Sequence, residues 1–148
     1  MEKKITYLGE PRSTRLDAFL SGEHQVAIEC KFTEFDVGPC SHPRQKKGSS
    51  EFCDGSFMRQ AGRNERCSLT ETGILYWKYV SLLFRWENTV DMNPCPLYRN
   101  YQLVRNVLAA CVRPDGNVSP ANSRVVLLYD DRNPAFQEDG EGLARVCL

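Results

Sequence analysis

The stretch Arg15-Leu16-Asp17-Ala18-Phe19-Leu20-Ser21-Gly22-Glu23-His24-Gln25-Val26-Ala27-Ile28-Glu29-Cys30-Lys31-Phe32-Thr33-Glu34 decides the fold. Two apolar runs flank Ser21-Gly22, a turn short enough to join antiparallel neighbours. In the second run, Val26, Ile28, Cys30 and Phe32 alternate with Ala27, Glu29 and Lys31, the period of a strand. Ahead of them, Lys3 to Leu8 is extended and closed by Gly9-Glu10-Pro11. The three segments, 3–8, 15–20 and 25–32, predict an antiparallel meander.

Alternation sets Glu29 and Lys31 on one side of the sheet and Ile28, Cys30 and Phe32 on the other, in apolar packing. A glutamate and a lysine inside an apolar strand are costly unless they pair or face a functional cleft. Asp17 is a second acid inside an apolar run. Pairing across the Ser21-Gly22-Glu23 turn brings the two acids close, and a divalent cation relieves their repulsion. The plainer alternative is a cross-strand ion pair on a solvent-facing side.

Residues 36–72 differ in kind, with four glycines, two prolines and little periodicity. Within them, 44–66 carries six basic residues against three acidic ones, and a short helix is expected near Phe57–Arg63. This irregular basic arm is either a flap on a DNA backbone or a solvated loop; Phe52, Phe57 and Met58 favour a partner surface. Then Leu75, Tyr79, Leu82, Leu83 and Trp86 mark one face of a helix over about 74–86. Asn93-Pro94-Cys95-Pro96 opens another, with Asn93 as N-cap and Leu97, Tyr101, Val104, Leu108 and Cys111 as its buried face. Pro114-Asp115-Gly116-Asn117 ends it. Val125-Val126-Leu127-Leu128 reads as a strand buried on both faces. The acidic tail, Asp130 to Glu141, reads as a solvated edge. The order β-β-β, arm, α-α, β is an α/β fold with a mixed sheet, and a helix is expected on its open face.

The chain has 148 residues, 41% hydrophobic and 26% charged, enough for one domain over 1–148 with one core. No apolar run reaches the roughly 20 residues that cross a bilayer, and Met1-Glu2-Lys3-Lys4-Ile5 is no secretory signal. Nineteen basic residues balance nineteen acidic ones, so any polyanion contact is local. Seven cysteines without a signal peptide predict reduced thiols in the cytoplasm and no membrane partner.

Asp17 followed by Glu29-Cys30-Lys31 resembles the D…ExK signature of the PD-(D/E)xK nuclease superfamily. Leu16-Asp17-Ala18-Phe19-Leu20 with Ile28-Glu29-Cys30-Lys31-Phe32-Thr33-Glu34, Tyr101-Gln102-Leu103-Val104-Arg105-Asn106 and Asn133-Pro134-Ala135-Phe136 resemble an uncharacterised restriction-endonuclease-like branch of it. The resemblance spans most of the chain. It departs in two places: the usual proline before the aspartate is Leu16, and the helix that normally precedes the first strand is missing, which bears on activity rather than fold.

The resemblance implies a Mg²⁺-dependent endodeoxyribonuclease, with Mn²⁺ able to substitute. Asp17 and Glu29 would bind the ion with a backbone carbonyl, that of Cys30. Lys31 would orient water or stabilise phosphoryl charge. Gln102 and Arg105 would face the site from a helix, where a guanidinium grips phosphate, and Glu34 would add a further acidic contact. The plainer alternative makes Gln102 and Arg105 the wet side of an amphipathic helix. DNA is the implied partner, and a homodimer is the arrangement that cuts both strands. The first alternative is a catalytically inactive nuclease-fold protein that binds nucleic acid or a protein partner. Cys40, His42, Cys53 and Cys67 carry another, a zinc-stabilised interaction module, though spacings of thirteen and fourteen residues lack a tight pair. Cys30 and Cys111 read as small core residues. His24 and His42 sit in no recognisable nucleophile setting.

Overall fold

The computed structural model describes residues 3–11, 14–41, 53, 67–84, 95–140 and 142. Its elements run β1 (Lys3–Ile5), β2 (Thr14–Leu16), β3 (Ala18–Ser21), β4 (Gln25–Lys31), α1 (Ser68–Glu71), α2 (Tyr76–Leu83), α3 (Pro96–Cys111) and β5 (Ser123–Tyr129), followed by a 3₁₀ turn at Pro134–Phe136. The expected α/β class is what forms. Strands β3, β4 and β5 make a mixed sheet in which β4 is central, antiparallel to β3 and parallel to β5.

The meander is bent rather than continuous. Its second segment breaks at Asp17 into β2, which pairs with β1, and β3, which pairs with β4. Asp17 causes the break with its own side chain: Oδ2 accepts the Cys30 N–H at 2.8 Å, replacing a ladder bond. The first strand stops at Ile5 and the third at Lys31, each shorter than periodicity predicts.

Helix α3 covers one face of the sheet. Ala109 and Ala110 are fully buried and let the helix backbone approach β4 and β5 closely. Leu97, Val104 and Leu108 point into the core shared with Ile5, Leu16 and Tyr76, each burial worth about 1.5–3 kcal/mol. The helix follows Cys95 (φ −48°, ψ 130°) as its N-cap, and proline takes the first helical position. It is kinked at Asn100 (φ −121°, ψ 30°). There the segment before Cys40 inserts: Gln102 N–H donates to Gly38 O at 3.1 Å, and Tyr98 O accepts from Cys40 N–H at 2.9 Å. The first turns of α3 therefore lean on residues 38–40.

Several packing expectations are corrected. Val26, Ile28 and Cys30 are only half-buried and Phe32 is 52% exposed, whereas Glu29 and Lys31 lie beneath α3. Cys30 is thus no core residue, although Cys111 is buried. Strand β5 is not buried on both faces, since Arg124, Val126 and Leu128 are exposed. One helix layer explains both results: among the described residues no helix covers the other face. Helix α2 is shorter than predicted and turned about its axis. Tyr76, Tyr79 and Val80 are its buried residues while Leu75 and Leu82 are exposed, because Leu75 precedes the helix and its N–H is held by Leu8 O at 2.9 Å. In the tail, Asn133 and Phe136 are buried among exposed acids. The arm's basic residues, its expected helix, Trp86 and Asn93 lie outside the described residues. Among the described residues no helix is long and apolar enough to cross a membrane.

Candidate functional site

The register of β3 and β4 sets Ala18 opposite Ile28, so the next pair outward is Asp17 and Glu29, at the point where the backbone bends. Strand alternation then directs Glu29 and Lys31 to the face that α3 covers. Both are buried, at 7% and 5% exposure, and both are compensated. Lys31 Nζ lies 3.0 Å from Glu29 Oε1 and donates to Gln102 Oε1 at 2.7 Å. Glu29 Oε2 accepts from Asn106 Nδ2 at 2.8 Å and stands 3.9 Å from an Arg105 guanidinium nitrogen. Every side of the buried pair therefore meets a polar group of α3, which is what makes such burial tolerable.

Gln102 and Arg105 come to the site rather than to solvent. Gln102 is placed by the kink: its N–H is bonded to Gly38 O, and Gly38 holds φ +77° with its Cα against the Gln102 side chain. Arg105 reaches toward the strand break, with a guanidinium nitrogen 3.5 Å from Arg15 O. Asn106 is the member that residue types alone did not single out. It is fully buried, four residues after Gln102 on the same helix face.

Glu34 lies at the rim. Its Oε1 is 4.0 Å from Lys31 Nζ and its Oε2 accepts from Thr33 N–H at 3.1 Å. Burial pushes its carboxyl pKa up, but backbone N–H groups and the Lys31 charge outweigh that and hold it below the usual range. Asn133 fixes this corner, with Nδ2 donating to Glu34 O at 2.9 Å while Oδ1 accepts from Ala135 N–H at 3.0 Å. Burial, then the charges of Asp17, Glu29 and Glu34, raise the Cys30 thiol. Three carboxylates thus surround one short piece of strand, and Lys31 opposes them.

Asp17 remains exposed, anchored through one oxygen to Cys30 N–H. Two carboxylates on neighbouring backbone positions are what Mg²⁺ takes from a protein, since water and substrate complete its shell. The donor chemistry of Asp17 and Glu29 fits such an ion. Among the described residues, no three His, Cys, Asp or Glu side chains form a ready metal-holding group. Of the residues expected around zinc, Cys40, Cys53 and Cys67 are buried and His42 lies outside the described residues.

A family model described as restriction endonuclease associating with ARP matches residues 2–147. No curated protein matches the chain significantly. No solved structure does so either.

Proposed function

This chain belongs to the REase-ARP family, restriction endonucleases associating with ARP, and we propose on that footing that it is a Mg²⁺-dependent PD-(D/E)xK nuclease that hydrolyses phosphodiester bonds of duplex DNA. The observation that carries the proposal is the buried Glu29–Lys31 pair, held by Gln102 and Asn106 beside the Asp17 carboxylate. A structural ion pair needs no second acid at a strand break, and a phosphodiester site does.

Asp17 and Glu29 are the residues that would hold Mg²⁺ or Mn²⁺, with the carbonyl of Cys30, the residue after Glu29, as a further donor. When bound, such an ion supplies Lewis acidity and an activated water. Lys31 places a positive charge where phosphoryl oxygens gain negative charge, and Gln102 limits the directions its ammonium can take. Arg105, on the side of the strand break, offers a guanidinium to a phosphate oxygen. Asn106 orients Glu29 from α3, and Glu34 moderates the Lys31 charge at the rim. A homodimer would present two such sites to the two strands.

The decisive assay is plasmid cleavage with Mg²⁺ or Mn²⁺, comparing the natural protein with Glu29→Ala and Lys31→Ala. Cleavage by the natural protein, lost with chelator and in both variants, supports the proposal. Equal activity in all three proteins overturns the site. A second reading has its own observation: both Glu29 oxygens are already engaged, one by Lys31 and one by Asn106. A nuclease fold that binds DNA or a protein partner without cutting would show this. The family's stated association with ARP and the exposed apolar residues Leu20, Phe32, Val126 and Leu128 suit a protein partner. DNA retention in a gel shift with no cleavage under any divalent ion favours that reading.

A further inference from the structure

Strand β5 is an edge of the mixed sheet, with β4 on one side of it. Its ladder fixes where its backbone groups point. Gln25 N–H donates to Asn122 O at 2.9 Å and Asp130 N–H donates to Lys31 O at 3.3 Å, the two ends of a parallel register that sets Ala27 beside Val125 and Glu29 beside Leu127. In such a ladder alternate residues serve one neighbour. Arg124, Val126 and Leu128 therefore turn their N–H and C=O groups toward β4, and Val125, Leu127 and Tyr129 turn theirs to the outer edge. Among the described residues these outward groups meet no backbone partner. The strand, Ser123-Arg124-Val125-Val126-Leu127-Leu128-Tyr129, has no proline, glycine or lysine to blunt it. Val126, Leu128 and Tyr129 are exposed. An apolar strand with a free row of backbone groups is a template for a further strand.

We propose that β5 is where two copies of this chain join, the β5 of each pairing antiparallel with the other around a twofold at Leu127, which makes one six-stranded sheet.

Charge complementarity selects this occupant and this register. A twofold at Leu127 sets Leu127 opposite the partner's Leu127 and Val125 opposite the partner's Tyr129, so the outward groups of all three residues bond across the interface. The intervening side chains meet on the sheet face that α3 leaves open: Val126 with the partner's Leu128, and Arg124 with the partner's Asp130. A twofold at Val126 would set Arg124 opposite the partner's Leu128, and one at Leu128 would set it opposite the partner's Arg132. The Leu127 register instead gives two apolar rungs and two of opposite charge. Arg124 is exposed, and its guanidinium donates to the carbonyls of Ala121 and Ser123 rather than to a carboxylate among the described residues. Asp130 already holds Arg132 at 2.7 Å, but Asp131 follows it, so that end of the strand keeps an excess negative charge for Arg124. This pairing gives the proposed homodimer its surface, yet it rests on sheet geometry and not on the nuclease reading.

The test is the mass of the full chain by sedimentation over a range of concentrations, in reductant. The natural protein should pass from one chain to two as concentration rises, since a ladder of this length is a small interface. Arg124→Asp and Asp130→Arg each set like charges opposite one another in their own dimers, so each should stay a single chain. Mixed together they should pair, because every charged rung then joins opposite signs. Should Asp130→Arg disturb the turn that its carboxylate holds, amide hydrogen exchange of the natural protein decides: Val125, Leu127 and Tyr129 should gain protection as concentration rises. A natural protein that stays a single chain overturns the proposal and leaves the edge to another chain's strand. Dimers that persist in both variants, a mixture of folded variants that does not pair, or protection that ignores concentration overturn it as well. Plasmid cleavage is read separately, so the interface and the nuclease reading can each fail without the other.

Discussion

Asn106 donates to Glu29 Oε2 at 2.8 Å from a position with no solvent exposure, so helix α3 and strand β4 are joined at the most polar point of their interface. Removing the amide leaves a buried carboxylate oxygen with only the 3.9 Å Arg105 contact. Asn106→Ala should therefore cost about 1–3 kcal/mol of stability, read as a lower urea midpoint at constant slope. If Glu29 holds the metal, nuclease activity should fall by about 10–100-fold as well. Asn106→Asp should lose more at neutral pH and regain activity on acidification, since one of two facing carboxyls must then bind a proton. A flat pH response in that variant would remove the role assigned to Asn106.

Lys31 compensates Glu29 at 3.0 Å, with both side chains buried. Breaking one side of a buried pair is harsher than removing both, because the remaining charge keeps its desolvation cost. Lys31→Met should destabilise by about 3–5 kcal/mol, and Glu29→Gln with Lys31→Met should recover part of that loss. Chemical denaturation of the two single variants and the double variant closes the cycle, and additive losses would show that the pair is not coupled.

Gly38 has φ +77°, and a Cβ there would stand 2.2 Å from the Gln102 side chain. Gly38→Ala is therefore strained twice, by backbone conformation and by collision with the residue that holds Lys31. A loss of about 1–3 kcal/mol is expected, and activity should fall beyond what stability explains because Gln102 must move. Gln102→Ala in the same background should relieve the collision, so the double variant should melt above Gly38→Ala alone.

The meander, the α3 stripe from Leu97 to Cys111 and the acid–lysine pattern could all be read from period and residue type. What could not be read was which face of β4 the helix would choose. Alternation groups Glu29 with Lys31 and Val26 with Ile28, but both sets have reasons to be covered. The polar residues of α3 decide it: Gln102, Arg105 and Asn106 share a face and can only be buried against charges. The break at Asp17 had no glycine or proline to announce it, because the carboxylate itself replaces the missing backbone partner. Asn106 was legible in principle from its spacing to Gln102, a signal that carries weight only once Gln102 is known to face inward.

Tyr7, Tyr76 and Tyr101 give the fold a pH limit on the alkaline side. Burial raises all three above the ordinary 10.0; at Tyr76 the nearby Tyr101 and Glu10 add to the rise, and its hydroxyl donates to the Glu10 carboxylate. A raised pKa means that the folded chain binds these protons more tightly than the unfolded chain. The resulting stability is complete below about pH 10 and is lost as pH climbs above it, because the unfolded tyrosines ionise first. Urea midpoints should accordingly hold from pH 7 to about 8, begin to fall as the unfolded counterparts of the buried thiols ionise near about 9, and fall further above about 10 as unfolded tyrosines ionise, given adequate reductant. Tyr101→Phe removes one such proton and should make the decline shallower, although the rings of Tyr76 and Tyr101, 5.6 Å apart, keep their packing. An unchanged slope in that variant would place the alkaline transition elsewhere, in the thiols of Cys67 and Cys95.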